Sequence, residues 1–129
     1  MVDHGVAAEL IGGFPAVEEG TSYGRRAWKV RGKLFAWDRP FTKADLRRFR
    51  DEPVPQGPIL GVTVEDLGEK QAILDAGTPG LFTIPHFDGH SAVLVELDEI
   101  SEPDLREILT DGWLAVAPSE LAEEFLRNR

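Results

Sequence analysis

The residues best suited to chemistry stand in His86-Phe87-Asp88-Gly89-His90. In an extended segment His86, Asp88 and His90 would share one side, as metal ligands can. The competing reading is a polar connection between two strands, opened by Pro85 and turned at Asp88-Gly89. No fourth ligand stands nearby in sequence, so the connection is preferred and no metal is expected. Paired carboxylates recur at Glu18-Glu19, Glu65-Asp66, Asp98-Glu99 and Glu123-Glu124. Acid–base catalysis needs two carboxyl groups in unlike environments, one of them desolvated. These pairs fall at the ends of expected elements, where carboxylates cap helices and stay solvated. The nucleotide and nucleophile motifs fail as well. There is no G-x-G-x-x-G, and Gly32-Lys33 runs into Leu34 with Ala27 where a P-loop would need its first glycine. No G-x-S-x-G elbow occurs, and without cysteine there is no thiolate nucleophile and no disulfide framework. No catalytic residue and no cofactor is assigned.

What remains is charge. The formal net charge is −9, which by itself opposes nucleic acid. Its distribution is uneven. Residues 25–50 carry ten basic and two acidic residues, or +8, and the rest of the chain carries four basic and 21 acidic, or −17. Within the basic segment, Arg25, Arg26, Lys29, Arg31, Lys33, Arg47 and Arg48 are the candidates for phosphate contact, with Trp28 and Trp37 interleaved. An internal use of the same charges competes. Arg26 could stack on Trp37 across a hairpin, Arg25 could pair with Asp38, and Arg47 and Arg48 suit the C-terminal end of a helix dipole.

These residues need elements to position them. Residues 23–30 and 33–39 read as two strands joined at Arg31-Gly32, a two-residue loop with glycine where positive φ is required. That register places Trp28 opposite Phe35 and Arg26 opposite Trp37, giving one aromatic face. The preceding Glu18-Glu19-Gly20-Thr21-Ser22 reads as a polar lead-in. Asp3 caps a first helix carrying Val6, Ala7, Leu10 and Ile11. Thr42 and Asp45 form a capping box for a short helix, and a Pro-rich connection follows at 53–58. A buried strand over 59–64 leads to a helix begun by Asp66 and Glu69 and ended by Gly77. Two strands at 81–84 and 92–97 flank the His-containing connection. After Ser101 a long helix buries Leu105, Ile108, Leu109, Trp113 and Val116, and a last short helix follows Pro118.

That order predicts an α+β fold: one compact domain over residues 1–129, with a largely antiparallel sheet of about five strands and helices packed on one face. At 42% hydrophobic and 29% charged residues the chain suits a globular protein. No apolar run approaches the roughly 20 residues of a membrane span, and the N-terminus lacks a basic, then apolar, leader. A cytoplasmic location without a membrane partner is expected.

The runs 15–24 and 27–37, the stretch Thr83-Ile84-Pro85-His86-Phe87-Asp88-Gly89, and Asp98-Glu99-Ile100-Ser101 leading into Asp104-Leu105 and Trp113 resemble the MmcQ/YjbR family over about residues 13–118. The resemblance implies a small α+β fold and a double-wing arrangement labelled DNA-binding, with no established reaction. The first wing would be the hairpin 23–39, and the second the pair 81–97 with His86 and His90 near its turn. Asp88-Gly89-His90-Ser91 departs from the family there, where many members carry Lys or Asn before a His-Trp pair. The expected function is therefore weak, non-specific DNA binding through the basic hairpin. The alternative is a binding module for a protein or small ligand, using Trp28, Trp37, His86 and His90 on the aromatic face or in a helix–sheet groove.

Overall fold

A computed structural model describes residues 2–49 and 57–128. The expected Pro-rich connection at 53–58 lies mostly outside them. The described residues form helices α1 (His4–Gly12), α2 (Lys43–Phe49), α3 (Leu67–Asp75), α4 (Glu102–Val116) and α5 (Ser119–Arg127). The strands are β1 (Val17–Ser22), β2 (Arg25–Val30), β3 (Lys33–Asp38), β4 (Ile59–Thr63), β5 (Leu81–Phe82) and β6 (Ala92–Glu96). They make one antiparallel sheet in the order β1-β2-β3-β4-β6-β5. The α+β architecture is as expected, with one strand more.

Helices α1 to α4 begin where side chains can satisfy their first backbone N–H groups. Asp3 accepts from the Val6 N–H at 2.8 Å, Asp66 from Glu69 at 2.8 Å, and Ser101 from Asp104 at 3.2 Å. Ahead of α2, Thr42 and Asp45 bond reciprocally: the Thr42 N–H donates to Asp45 Oδ2 at 2.9 Å and the Asp45 N–H to Thr42 Oγ1 at 3.2 Å. This is the capping box read from the sequence. All five residues expected on the inward stripe of α4 are buried. With α1 and the inner strands they form the main core, including Val2, Ile11, Trp28, Val30, Phe35, Leu60, Val62, Val93 and Leu97. Residues of α3 and α5 pack at its edge. A smaller cluster of Ile59, Ile84, Phe87, Ala92 and Leu94 draws in Trp37, Phe41 and Phe82. Alternate residues of β4 and β6 feed the two clusters, which therefore lie on opposite faces of the sheet. Among the described residues no helix is long and apolar enough to cross a membrane.

Two corrections concern the hairpin. The lead-in over Glu18–Ser22 is a sixth strand, β1, which pairs with all of β2 from Val17↔Val30 to Ser22↔Arg25. Tyr23 and Gly24 are then a second two-residue turn, not the start of a strand. The β2–β3 register also slips. Lys29 pairs with Leu34 and Val30 with Lys33, but Trp28 faces Ala36 and Ala27 faces Trp37. The irregularity is a β-bulge at Phe35. A bulge sets two successive residues on one side. Phe35 and Ala36 accordingly both enter the main core beside Trp28, while Trp37 turns to the opposite face.

Candidate functional site

Strand β2 is bounded by two tight turns of the same design. Tyr23 and Gly24 have φ of 51° and 77°, and Arg31 and Gly32 have 50° and 84°. Two successive left-handed residues define the turn whose twist suits a hairpin. The six residues of β2 separate the two turns by roughly 20 Å.

Charge divides along this strand. At the Arg31-Gly32 end, Lys29, Arg31 and Lys33 are exposed. Among the described residues no ion pair involves any of them, although Glu18 stands opposite Lys29 in the strand register. At the other end Arg25 is exposed and, among the described residues, also forms no ion pair. Arg26 is committed inside the molecule. Its Nη2 lies 2.9 Å from Glu19 Oε1, and its guanidinium rests 5.1 Å above the Trp28 ring. The hydrogen bond from Arg26 holds the Glu19 carboxyl below its ordinary range. Arg26 thus stacks on Trp28, not on Trp37. The bulge took Trp37 to the other face, and the unforeseen β1 supplied the carboxylate. Arg25 does not pair with Asp38, which instead lies 3.5 Å from His4 Nδ1. Arg47 is exposed on α2, which follows the Asp38 end of β3, so it does not join the Arg31 tip. The side chain of Arg48 lies outside the described residues.

The proposed aromatic groove does not form as one surface. Trp28 is buried in the main core. Trp37, His86 and His90 belong to the other face, where Gly61 leaves room for the Trp37 indole to lie across β4. Phe87 is 6.4 Å from Trp37, and its ring meets those of His86 and His90 edge-on. The two imidazoles are exposed and stack with centroids 6.4 Å apart and planes within 7°. Pro85–Phe87 is a 3-10 turn, so the segment is not the extended strand a shared ligand face requires.

Two positioning residues escaped the sequence reading. Lys70 of α3 is buried, and its Nζ donates to the Phe87 carbonyl at 2.7 Å and the His90 carbonyl at 3.0 Å. Burial lowers its pKa, and Asp88 opposes that in part. The signal was its spacing of three and four residues from Ile73 and Leu74, which marks the inward side of α3. Arg39 joins the capping box: its Nη1 lies 2.9 Å from Asp45 Oδ2, and its guanidinium sits 5.2 Å from the centre of the Phe87 ring. The His-bearing connection is therefore pinned from both sides.

The family model for YjbR matches residues 12–115. The chain belongs to the YjbR family. Uncharacterised proteins of Mycobacterium bovis and of two Mycobacterium tuberculosis strains are each 46% identical to it over 125 residues, covering 94% of this chain and 93% of theirs. Their names assign no activity.

Among the described residues no group of three or more His, Asp or Glu side chains is arranged to hold a metal ion. Added zinc is expected to leave the thermal midpoint unchanged, because only ligands of the native state raise it. A zinc-dependent rise, lost on replacing His86 and His90, would reverse that expectation.

Proposed function

We propose that this YjbR-family protein binds nucleic acid weakly and without sequence selectivity, its β2–β3 hairpin contacting phosphates through Lys29, Arg31 and Lys33. One observation supports the reading most: three exposed cations gather at one turn, and among the described residues no carboxylate is within ion-pairing distance of them. Residues 17–39 hold six basic and three acidic residues, so the meander remains net +3 even with the glutamates of β1 included.

The chain's charge of −9 repels a polyanion at long range. Screening at physiological salt acts over about 8 Å, shorter than the roughly 20 Å length of β2, so a docked tip responds to its local charge. Affinity in the non-specific range of roughly 10⁻⁴–10⁻⁶ M follows, falling as salt rises.

The test is a titration of labelled DNA at two salt concentrations. Replacing Lys29, Arg31 and Lys33 together with alanine is expected to weaken binding about equally for unrelated sequences, since phosphate contacts carry no sequence information. Absence of binding by the unmodified protein at low salt would end this proposal.

A further inference from the structure

Tyr23 is the most exposed large hydrophobic side chain among the described residues, and its ring is fully open to solvent. Its backbone is left-handed, with φ of 51°. The first position of such a turn favours Asn, Asp or Gly, and a bulky residue there carries a conformational cost of order 1–3 kcal/mol. Among the described residues no ring contact or hydrogen bond of Tyr23 offsets that cost. An aromatic ring held outward at a conformational cost points to a contact outside the molecule.

Its surroundings indicate what that contact is. Arg25, two residues on, is exposed and in no ion pair among the described residues. Alternation along β2 sets Arg25, Ala27 and Lys29 on the face away from the main core, so the two cations lie roughly 13 Å apart. Between them Ala27 is buried, paired with Gly20 on one side and Trp37 on the other, so the two cations are the exposed side chains of this face. Beyond Lys29 stands the Arg31 turn. Cations thus track the length of β2, and an aromatic ring closes one end.

We propose that Tyr23 is a base-stacking residue and that the preferred ligand of this hairpin is single-stranded nucleic acid, its phosphates held by Arg25 and Lys29. The proposal rests on the phosphate-binding reading above and adds the strandedness of the ligand. A ring at a turn tip can stack only on a base whose face is open. Within a duplex those faces are covered, and parting two base steps would cost a few kcal/mol. A single strand offers them without that cost.

The experiment compares an oligothymidylate with a duplex of equal length at low salt, using the unmodified protein and the Tyr23→Gly, Tyr23→Phe and Lys29/Arg31/Lys33→Ala variants. The unmodified protein is expected to prefer the single strand. Tyr23→Gly should lower single-strand affinity about 5-fold or more, the lower end of what one stacked base contributes, and leave duplex affinity unchanged. Tyr23→Phe should retain the preference, because stacking needs the ring and not the hydroxyl. Glycine tolerates the left-handed turn, so the thermal midpoint of Tyr23→Gly should hold or rise, which separates lost binding from lost folding. Equal affinity of unmodified protein for both forms, or Tyr23→Gly binding the single strand undiminished, would overturn the stacking proposal while leaving phosphate contact standing. Absence of binding to either form would overturn both.

Discussion

Replacing Trp113 with alanine is expected to destabilise the protein by about 3–5 kcal/mol, the range for removing a buried tryptophan. Trp113 is fully buried on α4, and two other parts of the chain meet at its ring. Phe125 of α5 lies 4.9 Å away between centroids, and Phe14, just past α1, stacks at 6.1 Å. The indole Nε1–H donates to the Pro15 carbonyl at 3.0 Å. Alanine removes the packing and leaves that carbonyl without its donor, which adds to the loss. Set against a typical domain stability of about 5–15 kcal/mol, the variant stands near the edge of folding. Urea denaturation should show a lower midpoint at an unchanged slope. Trp113→Phe separates the terms: it keeps a ring between Phe14 and Phe125, loses the N–H, and should cost about 1–3 kcal/mol. A loss below about 0.5 kcal/mol for alanine, the range of surface positions, would contradict this role.

The α4 stripe was legible because its cause is local. Ser101, Asp104 and the spacing from Leu105 to Val116 lie within one helix, and a single apolar face has one way to be buried. The same holds for Asp3, Asp66 and the Thr42–Asp45 box, where a cap and its acceptor are three residues apart. Strand β1 was not legible for the opposite reason. Its four inner residues, Glu18 to Thr21, are exposed, so it buries no apolar face and shows no alternation. Only backbone pairing to β2 defines it, and hydropathy does not register backbone hydrogen bonds.

Missing that strand had consequences at the candidate site. Glu19 became visible as the partner of Arg26 only once β1 lay alongside β2. The separation of Trp28 from Trp37 depends on one extra residue at Phe35, and a one-residue slip moves every later side chain to the other face. Strict alternation could not foresee it. By contrast, Lys29, Arg31 and Lys33 flank a turn set by two residues, Arg31 and Gly32, so their clustering followed from sequence alone.

Asp45 provides a test that is read in pH. Its carboxylate is buried, and burial by itself opposes the charge. The Thr42 N–H and the Arg39 guanidinium, each 2.9 Å from Oδ2, outweigh that and hold its pKa below the ordinary carboxylate value. With the folded pKa depressed, the unfolded chain takes up the proton first as pH falls. The ionised carboxylate's contribution is therefore fully present above the unfolded value of about 3.9 and is lost as pH falls through the lower, folded value. Asp45→Asn keeps the shape and an acceptor for the Thr42 N–H but removes the charge facing Arg39, whose side chain is only 14% exposed. Breaking a buried pair from one side costs about 3–5 kcal/mol, and the lower end applies because Arg39 also donates to the Pro40 carbonyl at 2.6 Å. At neutral pH the variant should accordingly be about 3 kcal/mol less stable than the unmodified protein. As the solution is acidified below the ordinary carboxylate range, the gap between the two should narrow, because the unfolded aspartate then takes up a proton that the folded one does not. Denaturant titrations of both proteins at pH 7 and near pH 2.5 measure the gap directly, and other carboxylates cancel in the difference. An equal gap at both pH values would mean that the charge of Asp45 is irrelevant to holding Arg39 against the Phe87 ring.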